Sequence, residues 1–431
     1  MAAEDPRIIE LTQRAFSAMG AGRLDEAGRL WSQLHQIAPQ DPQALLHLGQ
    51  MALRRGEMAK ALELLDRAAA AAPKEAVVQL NLAFAARSAG RADIEGRAYE
   101  SALVADPYCY PAMLGKAELF EKGGKLRQAA RFYKDALSIA PPPEQQPPQL
   151  AAQFAHARET VRKNGEVMKD FLQSRLGKIE SEARPGRFDQ CVDALVGQRK
   201  IYVSQPSLLH YPGLPSTQFF DNALFPWLKD FEAATETILN ELKSLLAEDA
   251  GKFQPYVAYK PGTPVNQWGE LNHSPRWSGY FLWEKGDRIE EHCARCPKTV
   301  EAVEKIPLIH IPGFAPTVMF SVLLPHTHIP PHTGVTNTRL IGHLPLIVPD
   351  NCRFRVGNET RKVEKGKAWL FDDSIEHEAW NDSDEIRIIL MIDVWNPNLD
   401  EKEHDLIREL LMGMREYYRE DLAALGGDTL R

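Results

Sequence analysis

Five of the thirteen histidines fall within 52 residues, at His326, His328, His332, His343 and His377. A neutral imidazole offers one ring nitrogen to a borderline metal ion and orients itself through the other. A single buried histidine is more often a hydrogen-bonded core group than a ligand. Five so close together, on alternating strands of a barrel, can converge on one cavity. Arg387 stands among Ile386, Ile388, Ile389 and Leu390, and an arginine pointing inward from such a strand requires an anion. Cys293 and Cys296 form a lone C-x-x-C. Without a second pair it does not make a zinc site, and without a βαβ context it is not a redox motif, so two reduced structural thiols are expected.

The elements that must hold these groups are short. Runs at 254–259, 279–283, 317–324, 338–348, 353–356, 367–371 and 386–395 are rich in β-branched and aromatic residues and bounded by turn signals. Seven or more such strands predict a sandwich or double-sheet jelly roll. An amphipathic helix is expected over about 223–247 and another from Leu399 to Leu425, with a Pro-rich loop at 204–221.

The first third is built differently. Pro39, Pro73, Pro107 and Pro141 recur every 34 residues, each 17 residues after Gly22, Gly56, Gly90 and Gly124. Small residues recur at Ala61, Ala68, Ala102, Ala129 and Ala136, and a large slot is filled by Trp31, Leu65, Tyr99 and Tyr133. Each period is a helix, a Gly turn and a helix ended by Pro, and such hairpins must stack to cover their apolar faces. The pattern resembles tetratricopeptide repeats, four over residues 5–141, departing from it at Glu95 and at Leu82-Ala83. Such an array offers a groove for a protein or peptide ligand, or serves only to dimerise the chain. Five prolines in residues 141–150 break the helical pattern, and 151–197 reads as helical again. The expected fold is therefore a multidomain α + β chain. It has a repeat domain (1–141), a Pro-rich break and helical connector (142–204), and a mostly-β domain with a C-terminal helix (205–431).

Composition excludes several classes of function. At 44% hydrophobic and 26% charged, the chain has a globular balance. Its formal charge is −8, from 51 basic and 59 acidic residues. That balance argues against nucleic acid or an anionic membrane as main partner. No apolar run reaches the roughly 18 residues of a membrane span. The start lacks the basic and apolar regions of a signal peptide, and five cysteines fit a reducing cytoplasm.

Three segments carry a resemblance: YPGLPSTQFFDNALFPW (211–227), PHTHIPPHTGVTNTRLIGHLPLIVP (325–349) and FDDSIEHEAWNDSDEIRIILMIDVWNP (371–397). They are similar to the aspartyl/asparaginyl β-hydroxylase family over about 205–400. The resemblance implies a double-stranded β-helix oxygenase using Fe(II), 2-oxoglutarate and O2. It implies His332 and His377 as iron ligands, and Arg387 with Ser321 on the distal carboxylate of 2-oxoglutarate. It implies His343 on the metal-bound carboxylate. Many related oxygenases have an acid two residues after the first histidine, whereas this sequence has Gly334, as the family does. Two imidazoles bring no charge, so the dianion is expected to neutralise the ion and to bind in linkage with it. A hidden acid, Asp372 or Asp373, is the alternative. Family members often carry Arg two positions before the His343 equivalent; here Ile341 stands there, with Arg339 two further back, a second candidate for the anion. His326 and His328 are weaker candidates, for shaping the entrance or for bonds to the ligands.

The expected activity is hydroxylation of an unactivated C–H with decarboxylation of 2-oxoglutarate to succinate. The β-carbon of Asp or Asn in a bound polypeptide is the first expectation. An acyl chain or other non-peptide substrate, and an inactive scaffold, are the alternatives.

Overall fold

The computed structural model describes residues 5–177, 186–248 and 250–418. The chain divides into two compact units, Met1–Arg199 and Lys200–Arg431.

In the first unit, α1 (Pro6–Gly20) pairs with α2 (Leu24–Ile37), and α3 (Pro42–Arg54) with α4 (Met58–Ala71). The series continues with α5 (Ala76–Ser88) and α6 (Ala92–Ala105), then α7 (Tyr110–Lys122) and α8 (Leu126–Ser138). Each pair turns at its marker glycine, at φ 71°, 75°, 69° and 72° for Gly22, Gly56, Gly90 and Gly124, a region open to Gly and strained for other residues. One capping bond recurs in all four turns, from Arg23 to Ala18, Glu57 to Ala52, Arg91 to Ala86 and Lys125 to Phe120, each 2.8–2.9 Å from N to O. The large slots Trp31, Leu65, Tyr99 and Tyr133 are buried, as are all five small-residue positions. The contacts are tight: a Cβ on Gly115 would lie 2.2 Å from the Tyr99 ring. Glu95, which departs from the repeat, is buried and accepts from Arg87 Nε at 2.8 Å, so its charge is compensated on the spot.

Helix α9 (Pro148–Leu176) begins on a proline at its first turn, where no N–H is needed. Its Phe154 and Ala157 pack with Ala129, Tyr133 and Ala136. The segment expected as a connector thus begins as one more helix of the array, and α10 (Gly186–Leu195) follows.

The second unit holds α11 (Leu228–Ala233), α12 (Thr235–Glu248), α13 (Glu290–Arg295), α14 (Pro297–Val303) and α15 (Glu401–Tyr417). Its strands are β1 (Gln254–Pro255), β2 (Trp277–Glu284), β3 (Asp287–Arg288), β4 (Val318–Leu323), β5 (Thr327–His332) and β6 (Arg339–Ile347). They continue with β7 (Cys352–Val356), β8 (Glu359–Lys362), β9 (Trp369–Phe371), β10 (His377–Asn381) and β11 (Arg387–Trp395). A larger antiparallel sheet runs β1-β2-β4-β11-β6-β9 with β3 on β2, and a smaller one runs β5-β10-β7-β8. This is the two-sheet arrangement of a double-stranded β-helix.

Strand period sorts the larger sheet into two faces. Phe320, Val322, Leu340, Leu344, Leu390 and Ile392 meet Ile238, Leu242, Val300 and Val303 of the helices. On the other face, Leu323, Ile341, Trp369 and Phe371 meet Ile329, Phe354 and Ala379 of the smaller sheet. Each such buried aliphatic or aromatic side chain contributes about 1.5–3 kcal/mol. Arg387, Ile389, Met391 and Asp393 alternate with the helix-facing residues of β11, so they face this interior.

Strands β5 and β10 are absent from the runs expected from sequence. Pro330 and Pro331 withhold two N–H groups from β5, which is tolerable because β5 is an edge strand paired only with β10. The helix expected over 223–247 is divided between a short turn and the separate α11 and α12. The tail helix starts with a capping box of Asp400 and Glu403 and runs to Tyr417, and residues 419–425 of that expectation lie outside the described residues. Among the described residues no helix is long and apolar enough to cross a membrane. None of the five cysteines forms a disulfide, and Cys293 and Cys296 are both buried.

Candidate active site

His332 and His377 are direct cross-strand partners on β5 and β10. Their ring centroids are 4.0 Å apart at an interplanar angle of 53°. Each ring is fixed by its own strand: His332 Nδ1 donates to Pro330 O at 2.8 Å, and His377 Nδ1 to Ile375 O at 3.0 Å. These bonds place the hydrogens on Nδ1 and leave both Nε2 lone pairs available. Burial lowers the pKa of His332 to about 3, with the neighbouring His377 adding to the effect, and burial lowers that of His377 to about 4. Both rings are therefore neutral near pH 7, the state in which imidazole binds a metal.

Among the described residues no acid completes this pair. A Cβ on Gly334 would lie 2.0 Å from Asp373 Oδ2, so a side chain there collides with the Asp373 carboxylate. Arg339 donates to Asp373 Oδ2 at 3.0 Å and pairs with Asp393 at 3.3 Å. Asp393 also accepts from Thr317 N at 2.7 Å. Asp372 accepts from Ser374 N (3.0 Å), Ser374 Oγ (2.6 Å) and Ser204 Oγ (2.8 Å), and burial raises its carboxyl to about 6. Among the described residues, no three His, Cys, Asp or Glu side chains gather in a metal-holding group. Neither Asp372 nor Asp373 forms such a group with the pair as the side chains stand, and Asp373 Oδ1 is buried without a partner. Asp372 is engaged by hydroxyls and an amide, while Arg339 holds Asp373.

Arg387 presents the opposite case. It is 2% exposed and its Nε has no acceptor. Among the described residues no carboxylate pairs with it. Burial lowers its pKa to about 10, which leaves it charged at pH 7. Keeping a guanidinium buried without a counterion costs several kcal/mol, so an anion-binding role accounts for it where a structural one does not. Ser321 lies on the adjoining strand, opposite Ile389, and its Oγ accepts from Trp277 Nε1 at 3.2 Å. His343 is buried with Nδ1 unpartnered, and burial together with the nearby Arg387 charge pushes its pKa well below the usual range.

The remaining candidates stand elsewhere. His326 is exposed and pairs with Asp384 at 2.9 Å. His328 meets Glu378 at 2.8 Å and stacks on Trp380, so neither joins the facing pair. Arg355 binds Glu378 and, at 2.9 Å, Glu376, the residues on either side of His377. Ile341 packs in the apolar interior between the sheets.

Two tryptophans have specific places in the site. Trp268 lies edge-on to His332, with centroids 4.9 Å apart. Trp369 is registered opposite His343, and its buried Nε1 has no partner. The available sequence signal for Trp369 was its inward phase, two residues before the buried Phe371.

The two neutral imidazoles, with hydrogens directed away and lone pairs free, suit a borderline divalent ion. The unmatched guanidinium and hydroxyl on the same interior suit the far carboxylate of a small diacid.

Residues 232–397 match the aspartyl/asparaginyl beta-hydroxylase family, and residues 18–83 match the tetratricopeptide repeat. Human aspartyl/asparaginyl beta-hydroxylase is 43% identical over 131 residues, covering 30% of this chain and 17% of that protein. The ornithine lipid ester-linked acyl 2-hydroxylase of Rhizobium tropici is 36% identical over 194 residues, covering 44% of this chain and 64% of that protein. Human aspartate beta-hydroxylase domain-containing protein 2 is 28% identical over 211 residues, covering 48% and 54%. The chain thus spans less than two thirds of each of these relatives.

Proposed function

Because the second unit carries an aspartyl/asparaginyl β-hydroxylase domain and the first carries tetratricopeptide repeats, we propose that this chain is an Fe(II)- and 2-oxoglutarate-dependent dioxygenase that hydroxylates an unactivated C–H. His332 and His377 hold the ion through Nε2, with Pro330 O and Ile375 O fixing their orientation. Arg387 and Ser321 grip the distal carboxylate of 2-oxoglutarate, and His343 contacts its metal-proximal end. Bound iron and 2-oxoglutarate together supply the oxidising power, with one oxygen of O2 passing to succinate and the other to the product.

The side chains themselves bind, orient and exclude water. Trp268, Trp277, Phe354 and Phe371 form the apolar surround of the pair and of His343, and no general base is required. Arg339 serves the site indirectly, by keeping Asp373 beside Gly334 rather than by holding 2-oxoglutarate. The observation that carries the proposal is the buried, unmatched Arg387 on the same interior as two ligand-ready imidazoles.

The substrate is the β-carbon of Asp or Asn in a protein or peptide. A polypeptide captured by the repeats is raised in local concentration at the covalently joined catalytic unit. The reading as an acyl-chain hydroxylase is favoured by the Rhizobium relative, which matches 44% of this chain. Free thiol chemistry at five cysteines supports the cytoplasm as the compartment.

The test is succinate formation from 2-oxoglutarate, Fe(II) and O2 without added substrate. A slow wild-type signal lost in His332→Ala and His377→Ala is expected. Its absence from the wild type would leave only the scaffold reading. A +16 Da gain in lysate proteins supports the peptide substrate, and a gain confined to lipids supports the acyl substrate.

A further inference from the structure

The interior face that carries Arg387 holds more unsatisfied nitrogen than the contacts assigned above use. Indole Nε1–H is a donor with no acceptor capacity, and buried tryptophans nearly always find it a partner. Two buried tryptophans of this chain do: Trp277 Nε1 reaches Ser321 Oγ at 3.2 Å, and Trp31 Nε1 reaches Met19 Sδ at 3.4 Å. Trp369 is 4% exposed, yet its Nε1 has no partner. Its ring neighbours are His343 at 5.6 Å and Phe354 at 6.1 Å. Phe354 offers no acceptor, and His343 Nδ1 is itself unpartnered.

The register makes this more than a single orphan. Trp369 on β9 faces His343 on β6, and β6 pairs in turn with β11, which carries Arg387. Four unmatched nitrogens, Trp369 Nε1, His343 Nδ1, Arg339 Nε and Arg387 Nε, thus sit on three successive strands of one interior face. Packing alone does not explain the indole, because phenylalanine fills such a slot without a donor to bury, and an unmet donor costs about 1–3 kcal/mol.

We propose that the Trp369 indole N–H donates to an oxygen of the same organic dianion that Arg387 holds, so that β9 contributes a fourth binding residue beside those of β4, β6 and β11. This rests on the 2-oxoglutarate reading above and adds to it a contact made by this chain's own tryptophan.

The test uses the full chain loaded with Zn(II), which is diamagnetic and redox-inert, and labelled with 15N-tryptophan. Trp369→Phe identifies the Trp369 indole resonance by its loss, and Trp369→Met does so if the first variant folds poorly. On saturation with 2-oxoglutarate that resonance is expected to move downfield and its solvent exchange to slow. Calorimetry should show 2-oxoglutarate binding to Trp369→Phe about ten-fold more weakly, the usual loss for a donor to a charged acceptor, with Zn(II) affinity unchanged. An indole resonance that stays fixed while 2-oxoglutarate binds overturns the proposal, and assigns the donor to a bound water. A wild type that binds Zn(II) but no 2-oxoglutarate overturns the underlying reading instead.

Discussion

Arg339 and Arg387 face the same interior from paired strands of one sheet; Arg387 is buried, and the Arg339 side chain is 14% exposed. Around Arg339 the chain supplies two carboxylates, Asp373 at 3.0 Å and Asp393 at 3.3 Å. Around Arg387 it supplies none among the described residues, while Nε lacks an acceptor in both arginines. The desolvation cost is similar in kind at both positions, but only one is offset within the protein. The difference separates a buried charge that the protein itself offsets from one that it does not.

Substitution should split the two positions. Arg339→Met leaves Asp373 and Asp393 buried without their cation, and a loss of about 3–5 kcal/mol in denaturant unfolding is expected. Arg387→Met should do the reverse. It removes an unmatched charge, so the melting temperature holds or rises, while calorimetric 2-oxoglutarate affinity falls by about 100-fold, as for a lost bidentate contact. A destabilised Arg387→Met protein with intact binding would erase the distinction.

The metal provides a subtler probe. With two neutral ligands, Mn(II) should bind at least about ten-fold more tightly when 2-oxoglutarate is present, and 2-oxoglutarate should gain equally from Mn(II). Titrations in both orders check this reciprocity.

The smallest effect concerns Asp372, a buried carboxylate supported by hydroxyls and an amide rather than a cation. Its folded pKa is raised to about 6 from 3.8, so the folded state holds the proton more tightly than the unfolded state does. Its contribution to stability is full below about pH 4 and declines as pH rises to about 6, by about 1–3 kcal/mol. Asp372→Asn should flatten that slope in unfolding curves measured across the window.

How much of this could be read from the sequence depended on whether the cause was local. The repeats were legible because each Gly and Pro acts within its own turn, and the positive φ of Gly22, Gly56, Gly90 and Gly124 bears this out. The inward phase of Arg387 was legible from Ile386, Ile388, Ile389 and Leu390. Strands β5 and β10 were not. The doubled proline of T-H-I-P-P-H and the polar H-E-A-W-N lack a strand's usual composition, and only sheet pairing makes them strands. Nor could sequence separate Arg339 from Arg387, because the partners that settle the matter lie 34 and 54 residues from Arg339. The unmet donor of Trp369 is likewise a property of its surroundings, invisible in its own neighbours along the chain.

The crowding at Gly334 bears on redesign. Because the Asp373 oxygen lies 2.0 Å from where a Cβ would be, grafting an aspartate at 334 alone drives two carboxylates into one volume. Conversion to a three-ligand centre therefore requires a paired exchange, Gly334→Asp with Asp373 shortened to Gly. That exchange also strips Arg339 of a counterion. The missing acid is thus embedded in the surrounding architecture, and a single replacement cannot reverse it.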